Sequence, residues 1–101
     1  MRIAALLLAV VVLATPTLHA APKKIVLIAG KKSHGPEGNG IHDYPWSVRL
    51  LKVMLANSNV REEVNVETHF DGWPKDPSTL DTADTIMVIS DGRDGDKYEE
   101  A

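Results

Sequence analysis

The sequence predicts an α/β domain built on a parallel sheet, and three features carry that prediction. Residues 24–29 and 85–90 are continuous apolar runs rich in β-branched side chains, the pattern of strands covered on both faces. Between them, residues 46–56 place apolar side chains at helical spacing. Strand and helix signals alternate along the chain, and that alternation builds parallel sheets through crossover connections.

The 101 residues leave room for one small domain. The first 20 read apart from the rest. Arg2 is followed by an unbroken apolar run over residues 3–14, then by Thr15-Pro16-Thr17-Leu18-His19-Ala20. A short basic start, an apolar stretch and a helix-breaking segment ending in a small residue make a secretory signal peptide, cleaved after Ala20. Leu18 is bulkier than the residue usual three places before such a cut. A membrane anchor is the competing reading, but the run falls short of the roughly 20 apolar residues a span requires. The expectation is an exported protein, periplasmic or extracellular, with residues 21–101 as the mature chain and no membrane attachment after cleavage.

Cysteine is absent, which excludes a cysteine-linked lipid anchor, disulfides, thiolate metal ligands and a cysteine nucleophile within this chain. Lys and Arg number 11 against 14 Asp and Glu, a net charge of −3, and no basic patch interleaves with aromatics. Nucleic acid is therefore not an expected partner. The lysine pairs at 23–24 and 31–32 flank the first strand and read as ordinary solvated side chains.

Gly30 closes that strand, and a loop rich in glycine, histidine and charge runs to residue 44. Asp43 and Pro45 then supply a side-chain cap and a first-turn proline, which start a helix. Val48, Leu51 and Leu55 share one face of it, widened by Leu50 and Met54, with Trp46 and Tyr44 as core and rim residues at its start. Asn57-Ser58-Asn59 ends it. Residues 64–70 alternate apolar and polar, as a half-buried strand near a sheet edge does. Residues 71–84 contain two prolines and read as a loop with one helical turn around residues 78–80. After the strand at 85–90 comes Asp91-Gly92-Arg93-Asp94-Gly95, and Asp96 and Glu99 stand at capping-box spacing. The chain ends inside the first turn of that helix. The expectation is therefore a domain truncated after its third strand, with a complete three-stranded mini-domain as the alternative.

Strand, helix, strand, short helix, strand begins a doubly wound sheet. In the flavodoxin-like order 2-1-3-4-5 the first and third strands are neighbours, and ligands bind beyond the carboxyl ends of strands at that reversal. Those ends carry His34, Gly35, Asn39, His42, Asp91, Arg93 and Asp94. His34 and Asp91 are the candidate catalytic residues; Gly35, His42, Arg93 and Asp94 are candidates for substrate binding. Histidine on such a loop suits general acid–base work because its unperturbed pKa lies near neutrality. His34 and His42 with Asp43, Asp91 or Asp94 would also offer nitrogen and oxygen ligands to a divalent metal such as zinc, although the spacing matches no ligand signature. Metal use stays open. The glycines at 30, 35, 38 and 40 resemble a phosphate-binding turn but match neither nucleotide fingerprint, and Pro45 removes an amide that an anion would need. Residues 91–95 form either a tight turn with an Asp–Arg ion pair or a loop whose Arg93 donates to a carboxylate or sugar hydroxyls. Trp73, in Asp71-Gly72-Trp73-Pro74, reads as packing over a sheet edge rather than stacking on a sugar.

Together, Lys24-Ile-Val-Leu-Ile-Ala-Gly-Lys-Lys-Ser-His34-Gly, the Pro45-Trp46 helix start, Asp71-Gly-Trp-Pro74 and Ile86-Met-Val-Ile-Ser-Asp-Gly92 resemble the ThuA-like family. That family is named for trehalose utilisation and shares the class I glutamine-amidotransferase-like fold. The resemblance covers about residues 23–101. It implies a role in catabolism of disaccharides or keto-sugars, a small-molecule sugar as partner, and a site that lacks the complete amidotransferase triad. His34 and the Ser90-Asp91-Gly92 turn fall at family-like positions. Whether the domain is an enzyme or a non-catalytic periplasmic sugar-binding or scaffold module, and its oligomeric state, stay open in the sequence.

Overall fold

A computed structural model describes residues 19–91. The signal-peptide expectation, the Asp96–Glu99 capping box, Arg93 and Asp94 lie outside the described residues. Within them the order is β1 (Lys23–Ala29), α1 (Tyr44–Ala56), β2 (Val64–His69), a 3₁₀ turn (Pro77–Leu80) and β3 (Thr85–Ile89). Every element expected between residues 19 and 91 forms, within a residue or two of its expected bounds. Among the described residues no helix is long and apolar enough to cross a membrane.

The sheet has three strands in the order β2-β1-β3, and both pairings are parallel. Ile25 lies opposite Val66 on β2 and Thr85 on β3, which fixes both registers. The chain therefore steps from β1 to one side and then crosses back over it to the other. Right-handed crossovers in opposite directions fall on opposite faces of the sheet. The contacts agree: α1 sets Val48 on Leu27 and Ala29, whereas the 3₁₀ turn sets Thr79 on Lys24 and Glu67, whose side chains leave the opposite face.

β1 is central and apolar on both sides, so Val26, Leu27, Ile28 and Ala29 are all buried. Leu27, Ala29 and Val48 form the core beneath α1, with Ile25, Tyr44, Leu51, Val66 and Ile89 packed around them. Two expectations need correction. Leu50 and Met54 do not widen the packed face of α1; they are 51% and 58% exposed, and Trp46 is 51% exposed rather than in the core. The packed stripe runs through Val48 and Leu51, and side chains a residue or two off it turn to solvent. β3 is not covered on both faces either, since Ile86, Met87 and Val88 are each over 40% exposed. It is an edge strand among the described residues, and its outer side has no neighbour there.

The lysine pairs also divide. Lys23 and Lys31 are solvated as expected, although Lys23 reaches Asp84 at 3.1 Å. Lys24 and Lys32 are not. Lys24 Nζ donates to the Thr79 carbonyl at 2.6 Å and its hydroxyl at 2.8 Å, and pairs with Glu67 at 3.1 Å. Strand alternation sends Lys24 to the face that the β2–β3 connection covers, while its neighbour Lys23 stays outside.

Candidate functional site

The loop between β1 and α1 is built on Lys32, Asn39 and Asp43. Asp43 is the helix N-cap, with Oδ1 accepting from the Trp46 amide at 3.2 Å. Its Oδ2 accepts from the Gly38 amide and lies 3.7 Å from Lys32 Nζ. Lys32 Nζ also donates to Asn39 Oδ1 and to the Ile41 carbonyl, each at 2.6 Å. Asn39 in turn donates to the His34 carbonyl at 3.0 Å and accepts from the Ile41 amide at 3.0 Å. The loop thus folds back on an ionic centre rather than on an apolar one.

That fold-back uses left-handed backbone at Gly35 (φ +64°) and at His42 (φ +43°). Gly35 suits its position because a Cβ there would sit 2.5 Å from Asn39 Nδ2, an atom already held by hydrogen bonding. The positive φ and the close approach of Asn39 give Gly35 a conformational role in the loop. Histidine is among the few other residues enriched at positive φ, and at residue 42 the turn brings its ring back over the start of the loop.

There the two histidines meet. Their ring centroids are 4.6 Å apart at an interplanar angle of 77°, an edge-to-face pair. Ser33 Oγ stands between them, 2.9 Å from His34 Nδ1 and 3.2 Å from His42 Nδ1. His42 Nδ1 is also 3.8 Å from Asp91 Oδ2, at the end of β3. With Asp91 ionised, one proton order satisfies the row. His42 Nδ1–H lies between the Asp91 carboxylate and Ser33 Oγ, and the Ser33 hydroxyl donates to His34 Nδ1. His34, an exposed residue, is then the tautomer that carries its proton on Nε2.

The expected convergence of the two loops thus holds for His34, His42 and Asp91. The β-sheet brings it about directly, for the Gly30 amide donates to the Ile89 carbonyl at 2.9 Å and fixes the exits of β1 and β3 side by side. Asn39 belongs to the loop's scaffold. Ser33 is the group that sequence reasoning missed; its one signal was its place beside His34 on the strand exit. Lys32 was missed as well, being indistinguishable in sequence from Lys31. Among the described residues no group of three or more His, Asp or Glu side chains is placed to hold a metal ion.

A second polar cluster lies on the other face, at the end of β2. Glu67 accepts from Thr79 Oγ1 at 2.7 and 3.0 Å, contacts His69 Nε2 at 2.5 Å and pairs with Lys24 at 3.1 Å. The Thr79 hydroxyl, then His69 and Lys24, lower its pKa from 4.5 to about 2. A lowered carboxylate pKa stabilises the fold above the unfolded value, and the benefit is lost as pH falls through the folded one. Stability is therefore expected to decline between about pH 4.5 and pH 2. Solvent screening at this half-exposed site leaves on the order of 1 kcal/mol attached to Glu67. Urea titrations of Glu67→Gln and the unsubstituted chain at pH 6 and pH 3 would show it: the variant should lose less on acidification. An equal loss in both would assign the acid sensitivity to other carboxylates, such as Asp84, which the Lys24 amide and Lys23 also hold low.

Comparisons with protein-family models, curated proteins and solved structures return no match for this chain.

Proposed function

We propose that this chain belongs to an exported ThuA-like domain of carbohydrate catabolism, acting on a disaccharide or keto-sugar, with a flavodoxin-like, class I glutamine-amidotransferase-like sheet. The observation that carries the reading is the row Asp91–His42–Ser33–His34 at the joint exit of β1 and β3. The β2-β1-β3 order supports it, being the opening of a doubly wound sheet whose ligand crevice falls at that joint.

In this reading His34 is the group that meets the substrate. Its Nε2–H is a donor for a sugar carbonyl or hydroxyl oxygen, and the row behind it fixes the tautomer and orientation of the ring. A sugar carbonyl that gains negative character would be matched by this N–H donor, which stabilises the developing charge by hydrogen bonding. His42 is a positioning residue, since it joins Ser33 to Asp91 and keeps the His34 tautomer. Arg93 and Asp94 follow Asp91 in sequence and complete the substrate-binding set in the proposal.

Calorimetric titration with trehalose, maltose and a 3-keto disaccharide tests the reading. His34→Ala is expected to weaken binding of the preferred sugar by about tenfold or more, the effect of losing one hydrogen bond to a polar ligand in a partly desolvated site. Asp91→Asn should weaken it less and alter its pH profile. Unchanged binding in His34→Ala, with the fold intact by circular dichroism, would remove this role. Binding without any turnover would favour a sugar-binding module over an enzyme.

A further inference from the structure

The mechanism above leaves the cluster at the end of β2 unused. A groove of about 510 Å³ lies beside it, lined by Glu67, His69, Phe70, Trp73, Asp76 and Thr79 among others. This volume falls in the range of small-molecule sites, which combine apolar walls with a few placed polar groups.

The polar groups here are fixed in advance. Glu67 is held by Lys24 and Thr79, and it clamps His69 through Nε2. A carboxylate partner makes Nε2 the protonated nitrogen of the neutral ring, so Nδ1 is an acceptor. Nδ1 has no partner among the described residues, and no buried side-chain nitrogen or oxygen there lacks one, so this atom is open to solvent. The half-buried Trp73 supplies an aromatic face, and its indole N–H has no partner among the described residues either. Phe70 is already covered by the Arg49 guanidinium, 4.7 Å from its centroid, which leaves Trp73 as the available ring.

We propose that this groove is a second carbohydrate subsite that takes a neutral pyranose ring. The aromatic face of Trp73 meets the C–H face of the sugar. His69 Nδ1 accepts from one hydroxyl and the indole N–H donates to another. Lys24 balances the Glu67 carboxylate, and the lining residues Lys75 and Asp76 offset each other in charge, so the groove offers no net charge to an anionic ligand. The Gly72 amide donates to the Ala29 carbonyl at 3.0 Å and ties the loop carrying Trp73 to the exit of β1. The subsite therefore opens at the same edge of the sheet as the His34 row, on the β2 side. Its ligand class rests on the function proposed above, and the two can fail separately.

The chain has two tryptophans, and Trp46 stands exposed on α1. In Trp46→Phe, fluorescence reports Trp73 alone. Titration with maltose and with methyl α-glucoside should give a saturable change, weakened about threefold in His69→Gln as the loss of one hydrogen bond predicts. Trp73→Ala, which removes the reporter, is titrated by calorimetry and should bind about tenfold more weakly for want of the aromatic contact. Trp73→Phe keeps a ring in place and should retain most of the affinity measured by calorimetry, which guards against loss of fold in the alanine variant. The fluorescence response should persist in His34→Ala. No saturable change with either sugar would overturn the subsite, and so would a response abolished by His34→Ala. Calorimetric binding that depends on His34 but not on Trp73 would leave the function standing and remove the subsite. The reverse dependence would keep the subsite and remove the role of His34.

Discussion

Leu27→Ala is expected to destabilise the chain by roughly 2–5 kcal/mol, the range for truncating a fully buried leucine. Leu27 is 1% exposed, sits mid-strand in β1 and supports Val48 of α1. Its register partners are Thr68 on β2 and Met87 on β3, so the cavity would open in the middle of the sheet, where neighbouring strands cannot close in. A domain this small has only about 5–15 kcal/mol in hand. The change should therefore shift the urea midpoint far toward zero or abolish the cooperative transition. Leu27→Met keeps the volume and should cost less than about 1.5 kcal/mol. Equal losses for the two would mean that the leucine's packing under α1 is not what holds this layer. Sugar binding should fall together with stability in Leu27→Ala, because Asp43 both caps α1 and anchors the loop of His34.

The same contacts show which features were legible in the sequence. β1 was legible because four successive side chains had to be buried, and only a covered central strand offers that. The start of α1 was legible because Asp43 and Pro45 each suit one place in a helix. The 3₁₀ turn was legible through its proline and small polar residues, with Asp76 capping Ser78 at 3.1 Å. The reach of the core was not legible: Leu50 and Met54 are as apolar as Leu51, and what separates them is the angle at which α1 lies on the sheet. Lys24 and Lys32 looked like Lys23 and Lys31, because a one-residue step in a strand or loop decides which faces a carboxylate. Glu67 and His69 read as the polar side of an edge strand. They become a cluster only because the connection after β2 folds back and lays Thr79 across them, a contact twelve residues distant in sequence. The half of the site that was legible, His34 with Asp91, came from topology; Ser33, which joins the two histidines, came from a backbone turn at His42 that composition does not encode.

Asp43→Ala should be the costliest change outside the apolar core, at about 3 kcal/mol, because one carboxylate serves three partners. Loss of the cap to the Trp46 amide accounts for about 1 kcal/mol. The rest comes from the Gly38 amide, which loses its acceptor, and above all from Lys32, whose side chain is only 11% exposed and would keep its charge without a counter-ion. Removing one member of a buried pair is expensive because the other stays buried and charged. Asp43→Asn can still cap the helix, so it should recover part of the loss. The partition follows from a double-mutant cycle with Lys32→Met, in which Asp43→Ala should cost about 1–2 kcal/mol less than it does beside the native lysine. Strict additivity would mean that the 3.7 Å pair contributes nothing and that Asp43 acts through its cap alone. The cycle also bears on the site. Lys32 and Asp43 hold Asn39, Gly38 and Ile41, and through Asn39 the carbonyl of His34, yet neither is placed to touch a substrate. If they set the geometry of the histidine row, Lys32→Met/Asp43→Ala should retain much of the stability of Lys32→Met while losing sugar affinity. A stability defect and a binding defect would then separate within one pair of residues, as expected of a loop whose polar core orients the row rather than reacting itself.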